Sequence, residues 1–255
     1  MKAMAESHGV GVGHGPKAHH GPKEGHVLRW GGLAGIVAVI LAIIGRLILG
    51  STPSIVDQAM SISTYVVQHR WQILLASLLY AIALAFFLWF GVALARAFRR
   101  GETSGDISAM VLAGFVFVTA IAFMAVTAFA GMAYAMSVHR LLLPIAAAPY
   151  AALTVMSTLG GIALAVPFVA AAVGIMRTRV FPVWMAWFAI LVAVLAVLAA
   201  FAVGSTSGLF APGSFLVGYL PWFLAGLWTL IAGGLLVREH LPMGTTQQAR
   251  PVMGH

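Results

Sequence analysis

The chain has 255 residues, of which 62% are hydrophobic and 8% are Asp, Glu, Lys or Arg, with a net charge of +8. Soluble domains carry roughly 25% charged residues, so this composition excludes a water-soluble globule, and the lack of cysteine excludes disulfides, thiolate metal sites, iron–sulfur clusters and cysteine nucleophiles. The basic residues stand beside long apolar blocks with no basic surface interleaved with exposed aromatics, which sets nucleic acid aside as a partner and leaves membrane lipids.

Residues 1–26 are rich in Gly, His, Pro and Lys, the composition of a disordered tail. The apolar block behind them is a full ~20 residues, so a retained signal anchor is expected in place of a cleaved signal peptide. His14, His19, His20 and His26 offer imidazole nitrogens for a loose nickel, zinc, copper or cobalt site, although a low-complexity linker is the simpler reading.

Six spans are predicted over residues 30–49, 71–94, 107–138, 150–176, 180–203 and 215–237. Arg46 falls near the end of the first, where its side chain is expected to snorkel to the headgroups. Residues 50–70 form the longest connector, with Thr52 and Pro53 read as N-cap and first turn of a short interfacial helix. Ser104 or Asp106 is expected to cap the third span, which at 1.5 Å per residue is ~47 Å long and must tilt or project. The fourth span holds Thr154, Ser157, Thr158, Gly160, Gly161 and Pro167, the marks of a kinked or packed-in helix. Residues 27–240 thus make the membrane domain and 241–255 a disordered cytoplasmic tail.

An even number of spans puts both ends on one side. Lys2, Lys17, Lys23, Arg29, Arg96, Arg99, Arg100, Arg177, Arg179, Arg238 and Arg250 fall on that side, and Arg46, Arg70 and Arg140 on the other, so the termini are expected to be cytoplasmic. The fold class is therefore an all-α, six-helix transmembrane bundle with a short interfacial helix in the first outer loop.

Ions and protons crossing a bilayer need ionisable groups held at mid-depth, and the six spans contain no Asp, Glu, Lys or His. Proton-coupled pumping and charge-lined conduction are disfavoured. A neutral or apolar solute could use Thr154, Ser157, Thr158 and the region from Gly160 through Gly161 to Pro167, residues that equally serve helix packing. His69-Arg70 and His139-Arg140 stand at the outer ends of the second and third spans. They would meet in an antiparallel hairpin and hold an anionic headgroup or phosphate, with Asp57 orienting one imidazole; interfacial anchoring is the plain alternative. Haem ligation by the two histidines is set aside because both lie outside the hydrocarbon core. Met124, Met132, Met136 and Met156 could pass a cuprous ion, but flexible packing accounts for them. There is no Gly-x-Ser-x-Gly elbow, His-Glu-x-x-His, aspartate pair or His-box cluster, so neither a catalytic residue nor a cofactor is implied.

Three stretches carry a family resemblance: Phe87-Leu88-Trp89-Phe90 running into the run from Arg96 to Glu102, the run from Ile175 to Trp187, and Phe210 to Gly213 ahead of Trp222 to Arg238. Over residues 71–239 the chain resembles an uncharacterised family of bacterial six-span membrane proteins of actinobacterial type, a domain of unknown function. The resemblance implies the six-span fold and a bacterial cytoplasmic (inner) membrane, and brings no catalytic residues. The expected function is a non-enzymatic membrane component that binds lipid or an apolar small molecule, or a subunit working with other membrane subunits. A permease for a neutral or apolar solute is the alternative.

Overall fold

Lipid offers no partner to a backbone N–H or C=O, so an apolar block long enough to cross a bilayer must satisfy its own peptide groups, and the α-helix does so. The computed structural model describes residues 23–54, 57–102, 104–138, 147–205 and 214–239. Its elements are α1 (Lys23–Leu49), α2 (Ala59–Gln68), α3 (Arg70–Arg99), α4 (Asp106–Val138), α5 (Ala147–Thr178) and α6 (Val183–Phe201), followed by a 3-10 turn (Ala202–Gly204), a π-helical turn (Phe215–Tyr219) and α7 (Leu220–Glu239). Among the described residues there are six helices long and apolar enough to cross a membrane. This is a multi-pass integral membrane protein, and its outward apolar side chains contact lipid.

Neighbours in the bundle follow the chain. α1 lies between α3 and α7, α3 packs on α4, α4 on α5, α5 on α6, and α6 on α7, so the last span returns to the first. Where α1 begins and α3, α5 and α7 finish stand Arg29, Arg96, Arg99, Arg177 and Arg238, the arginine end. The other end carries α2. α4, at 33 residues and so ~50 Å, outruns the ~30 Å hydrocarbon layer. Its surplus at the α2 end is covered where Met132, Ala133 and Met136 pack with Ile62 and Val66 of α2 and with Ile73 and Tyr150.

α5 is the interior helix, with 67% of its most apolar window buried against 22% for α4. Small residues make this possible. A Cβ on Gly161 would run into the carbonyl of Ala196, and one on Gly114 would lie 2.8 Å from the Pro167 backbone. At the α1–α7 contact a Cβ on Gly32 would sit 2.6 Å from the Gly233 oxygen, and one on Gly233 2.7 Å from that of Gly32, so the two backbones touch directly. On the same helix Gly31 abuts Ala93 and Gly35 abuts the Phe90 ring, so the Gly31/Gly35 pair faces α3.

The centre toward the arginine end is filled by rings. Phe90, Phe115, Phe168 and Trp228 are all buried; the Phe90–Phe115, Phe90–Trp228 and Phe168–Trp228 centroids lie 5.8, 6.5 and 5.2 Å apart in edge-on geometry. The Trp228 indole N–H donates to the Met185 carbonyl at 3.0 Å, joining α7 to α6 inside the core.

Several expected boundaries move, for local reasons. α1 starts at Lys23, ahead of Trp30. Thr52 and Pro53 do not start a helix: α2 begins at Ala59 behind Gln58, and Asp57 closes a turn by accepting the Ser54 N–H at 2.8 Å. Val180 does not start the fifth span, because Arg179 takes a left-handed φ of 55° and Pro182 is extended, which delays α6 to Val183. Neither Ser104 nor Asp106 caps α4. Gly105 turns with φ 82°, and the Glu102 carboxylate accepts the N–H groups of Ile107 at 2.8 Å and Ser108 at 3.2 Å, with the Ser104 hydroxyl donating to it at 3.1 Å.

Two predictions follow from this packing. Gly161→Leu, forced against the Ala196 carbonyl, should cost about 1–3 kcal/mol and lower the melting temperature of the purified protein. Gly160→Ala, whose nearest neighbours would be 3.8 Å away, should leave it unchanged. The Ile107 N–H, helped by Ser108 and Ser104, holds the Glu102 carboxyl below the usual carboxylate range. A depressed folded pKa contributes stability that is complete above the ordinary carboxylate pKa and lost as pH falls through the lowered value. Thermal melts should therefore drop in that acid window for the wild type, and Glu102→Gln should flatten this part of the pH dependence.

Candidate functional site

The tyrosines gather at the α2 end. Tyr65, Tyr80, Tyr134, Tyr150 and Tyr219 are all the tyrosines of the chain, and every one lies there. The connector that leaves α1 is held by three of the long side chains at this end. The Tyr65 hydroxyl donates to the Leu49 carbonyl at 3.0 Å, Arg46 donates to that of Gly50, and the Tyr150 hydroxyl donates to that of Pro53 at 2.7 Å. Gly50 can make this turn because its φ is +66°, which glycine adopts without a Cβ penalty. Burial pushes the Tyr65 hydroxyl pKa up, against the pull of Arg46, so it stays a donor.

Arg46 extends toward the helix end, as a snorkelling side chain does, but is taken up inside the protein. Its guanidinium lies 5.0 Å over the Tyr219 ring and reaches the Tyr219 hydroxyl at 3.4 Å. Thr52 Oγ1 stands 3.4 Å from the same hydroxyl. Tyr80 lies with its ring against Gly45, the residue before Arg46.

The His-Arg hypothesis divides. His139 and Arg140 lie outside the described residues. His69 sits at the break between α2 and α3, its ring stacked on Tyr65 at 4.6 Å and its Nδ1 3.1 Å from the Tyr65 carbonyl. Arg70 turns away to lie 5.8 Å over the Tyr134 ring, with its Nε buried and without a hydrogen-bond partner. Asp57 bonds the Ser54 N–H and makes no hydrogen bond to His69.

The hydroxyls expected along a solute path are spent on their own helix. Thr154 donates to the Tyr150 carbonyl, and Ser157 and Thr158 both donate to that of Thr154 at 2.8 Å. Ser157 is exposed and Thr158 is buried, so they do not share a polar lining. Gly160 sits in ordinary contact with Ile121 and Trp222, while Gly161 and Pro167 hold neighbouring backbones close. Met124 faces outward and Met132 and Met136 belong to the α2 packing, so these methionines line no common track. His14, His19 and His20 lie outside the described residues, as does the side chain of His26. Among the described residues no group of three His, Cys, Asp or Glu could hold a metal.

On the lipid-facing side, an open groove of ≈ 520 Å³ runs between α1 and α3, lined by Ile48, Trp71, Gln72, Leu74, Leu75 and Leu78. A second hollow of ≈ 430 Å³ lies on α2, where Gln58, Met60, Ser61, Thr64 and Gln68 surround Tyr65 and His69. Sequence reasoning missed Thr52, Tyr65, Tyr80, Tyr150 and Tyr219. The signal was available in the placing of all five tyrosines toward one end of the spans. Compared with known proteins, the chain matches no family model, no curated protein and no solved structure.

Proposed function

We propose that this membrane protein is a non-enzymatic, lipid-binding component of a bacterial cytoplasmic membrane, of the six-span kind that its Arg177–Trp187 segment resembles. The observation that carries the reading is the groove between α1 and α3. Its walls are almost wholly apolar, and Trp71 stands at its rim 79% exposed, where an indole favours the headgroup level. An acyl chain lying along Leu74, Leu75 and Leu78 would leave no polar group unpaired. The ring-filled centre and the self-bonded hydroxyls of α5 favour this reading over a solute path. The excess of arginine at one end supports cytoplasmic chain ends.

Native mass spectrometry of protein taken from phospholipid vesicles tests the groove. The wild type should keep lipid that Leu75→Trp, by filling the space, sheds. Equal retention would end the reading, and a stoichiometric protein in place of lipid would assign the groove to a subunit contact. Orientation is open to a clean test because the chain has no cysteine. In intact cells a membrane-impermeant maleimide should label Ser61→Cys on α2 and spare Ser104→Cys at the arginine end. The opposite pattern would invert the topology.

A further inference from the structure

We propose that Arg46 is the charge of an anion site, built with Tyr80, Tyr219 and Thr52, that takes the phosphate or carboxylate group of a membrane amphiphile. It is separate from the groove: Arg46 and Ile48 are two residues apart, 200° around α1, so the site stands whether or not the groove holds lipid.

Four observations carry it. First, a guanidinium is permanently charged and has five donors, and here its described partners are neutral: the Gly50 carbonyl, the Tyr219 hydroxyl and the Tyr219 ring. Of the acidic residues only Asp57 lies between α1 and α3, and it is occupied by the Ser54 N–H. Second, the contacts made by the Tyr219 hydroxyl are loose. The Arg46–Tyr219 and Thr52–Tyr219 contacts are both 3.4 Å, long beside the usual 2.7–3.0 Å, and the Tyr80 hydroxyl makes no hydrogen bond to any described residue. The Tyr219 and Tyr80 hydroxyls thus keep hydrogen-bonding capacity on the two sides of α1's last turn. Third, the site is held in shape from outside, by Tyr65 and Tyr150 clamping the connector. Fourth, Tyr219 comes from a π-helical turn, where Leu220 N–H reaches back to the Phe215 carbonyl; such turns in natural helices recur at functional sites.

All four side chains are half-buried, so each keeps some accessible surface at the α2 end. Arginine with converging hydroxyls suits an anionic oxygen group, which accepts several charge-assisted bonds at once. The attached tail would run beside the Tyr219 turn into lipid.

The test uses the full chain in phosphatidylcholine nanodiscs, with oleate and phosphatidylglycerol as lipid probes and inorganic phosphate as the free anion. Binding of one oleate or phosphatidylglycerol per protein should saturate. Arg46→Gln should abolish it, and Tyr80→Phe should weaken it about tenfold, the worth of one charge-assisted hydrogen bond. Tyr80→Phe is decisive, because Tyr80 takes no part in clamping the connector and a purely structural Arg46 would not notice it. Tighter binding of the lipid probes than of phosphate identifies an amphiphile; equal competition by phosphate identifies a free anion at the same site. Binding unaffected by Tyr80→Phe in protein of unchanged melting temperature, or no saturable binding of any probe, overturns the proposal.

Discussion

The indole of Trp228 is the constraint on which the interior depends. Inside an apolar bundle its N–H must find an acceptor or cost about 1–3 kcal/mol, and the acceptor it finds is a backbone carbonyl near the start of α6. That bond fixes the rotation of α7 about its own axis. Once α7 is fixed, the edges and faces of Phe90 and Phe168 are placed against the indole, and Phe115 against Phe90. The result is a polar contact and an aromatic stack that reinforce each other across five helices. A pore along this axis would require dismantling both.

Around that centre the helices approach on glycine and alanine, since lipid supplies no hydrophobic drive for one helix to leave it for another. Close backbone contact is what remains, and Gly32 with Gly233, Gly114 with Pro167 and Gly161 with Ala196 provide it. The large apolar side chains are then free to face lipid, and Trp71, Leu47 and Phe201 all do.

Hydropathy made the six spans legible, because an uncharged block of that length has one stable solution in a bilayer. The ends were less legible. Glu102 reaches past Ser104 to cap α4, which depends on a left-handed Gly105 that composition alone does not announce. In the candidate site, His69 and Arg70 stood out by adjacency, yet His69 stands at the break before α3 and Arg70 opens that helix, so one goes to Tyr65 while the other goes to Tyr134. The group around Arg46 could not be read pairwise at all. Its members come from positions 46, 52, 80 and 219, and only the return of α7 to α1 brings the last of them within reach.

That return has a consequence for biogenesis. Gly32 meets Gly233 across two hundred residues, so while the ribosome is still making the middle of the chain, one flank of the first span has no protein beside it. The contacts of Phe90 and Phe168 with the indole, too, wait for the final helix. The nascent bundle is therefore an open arc whose seam is sealed last, and until then its unsealed flank has to be shielded by bilayer or by the insertion machinery.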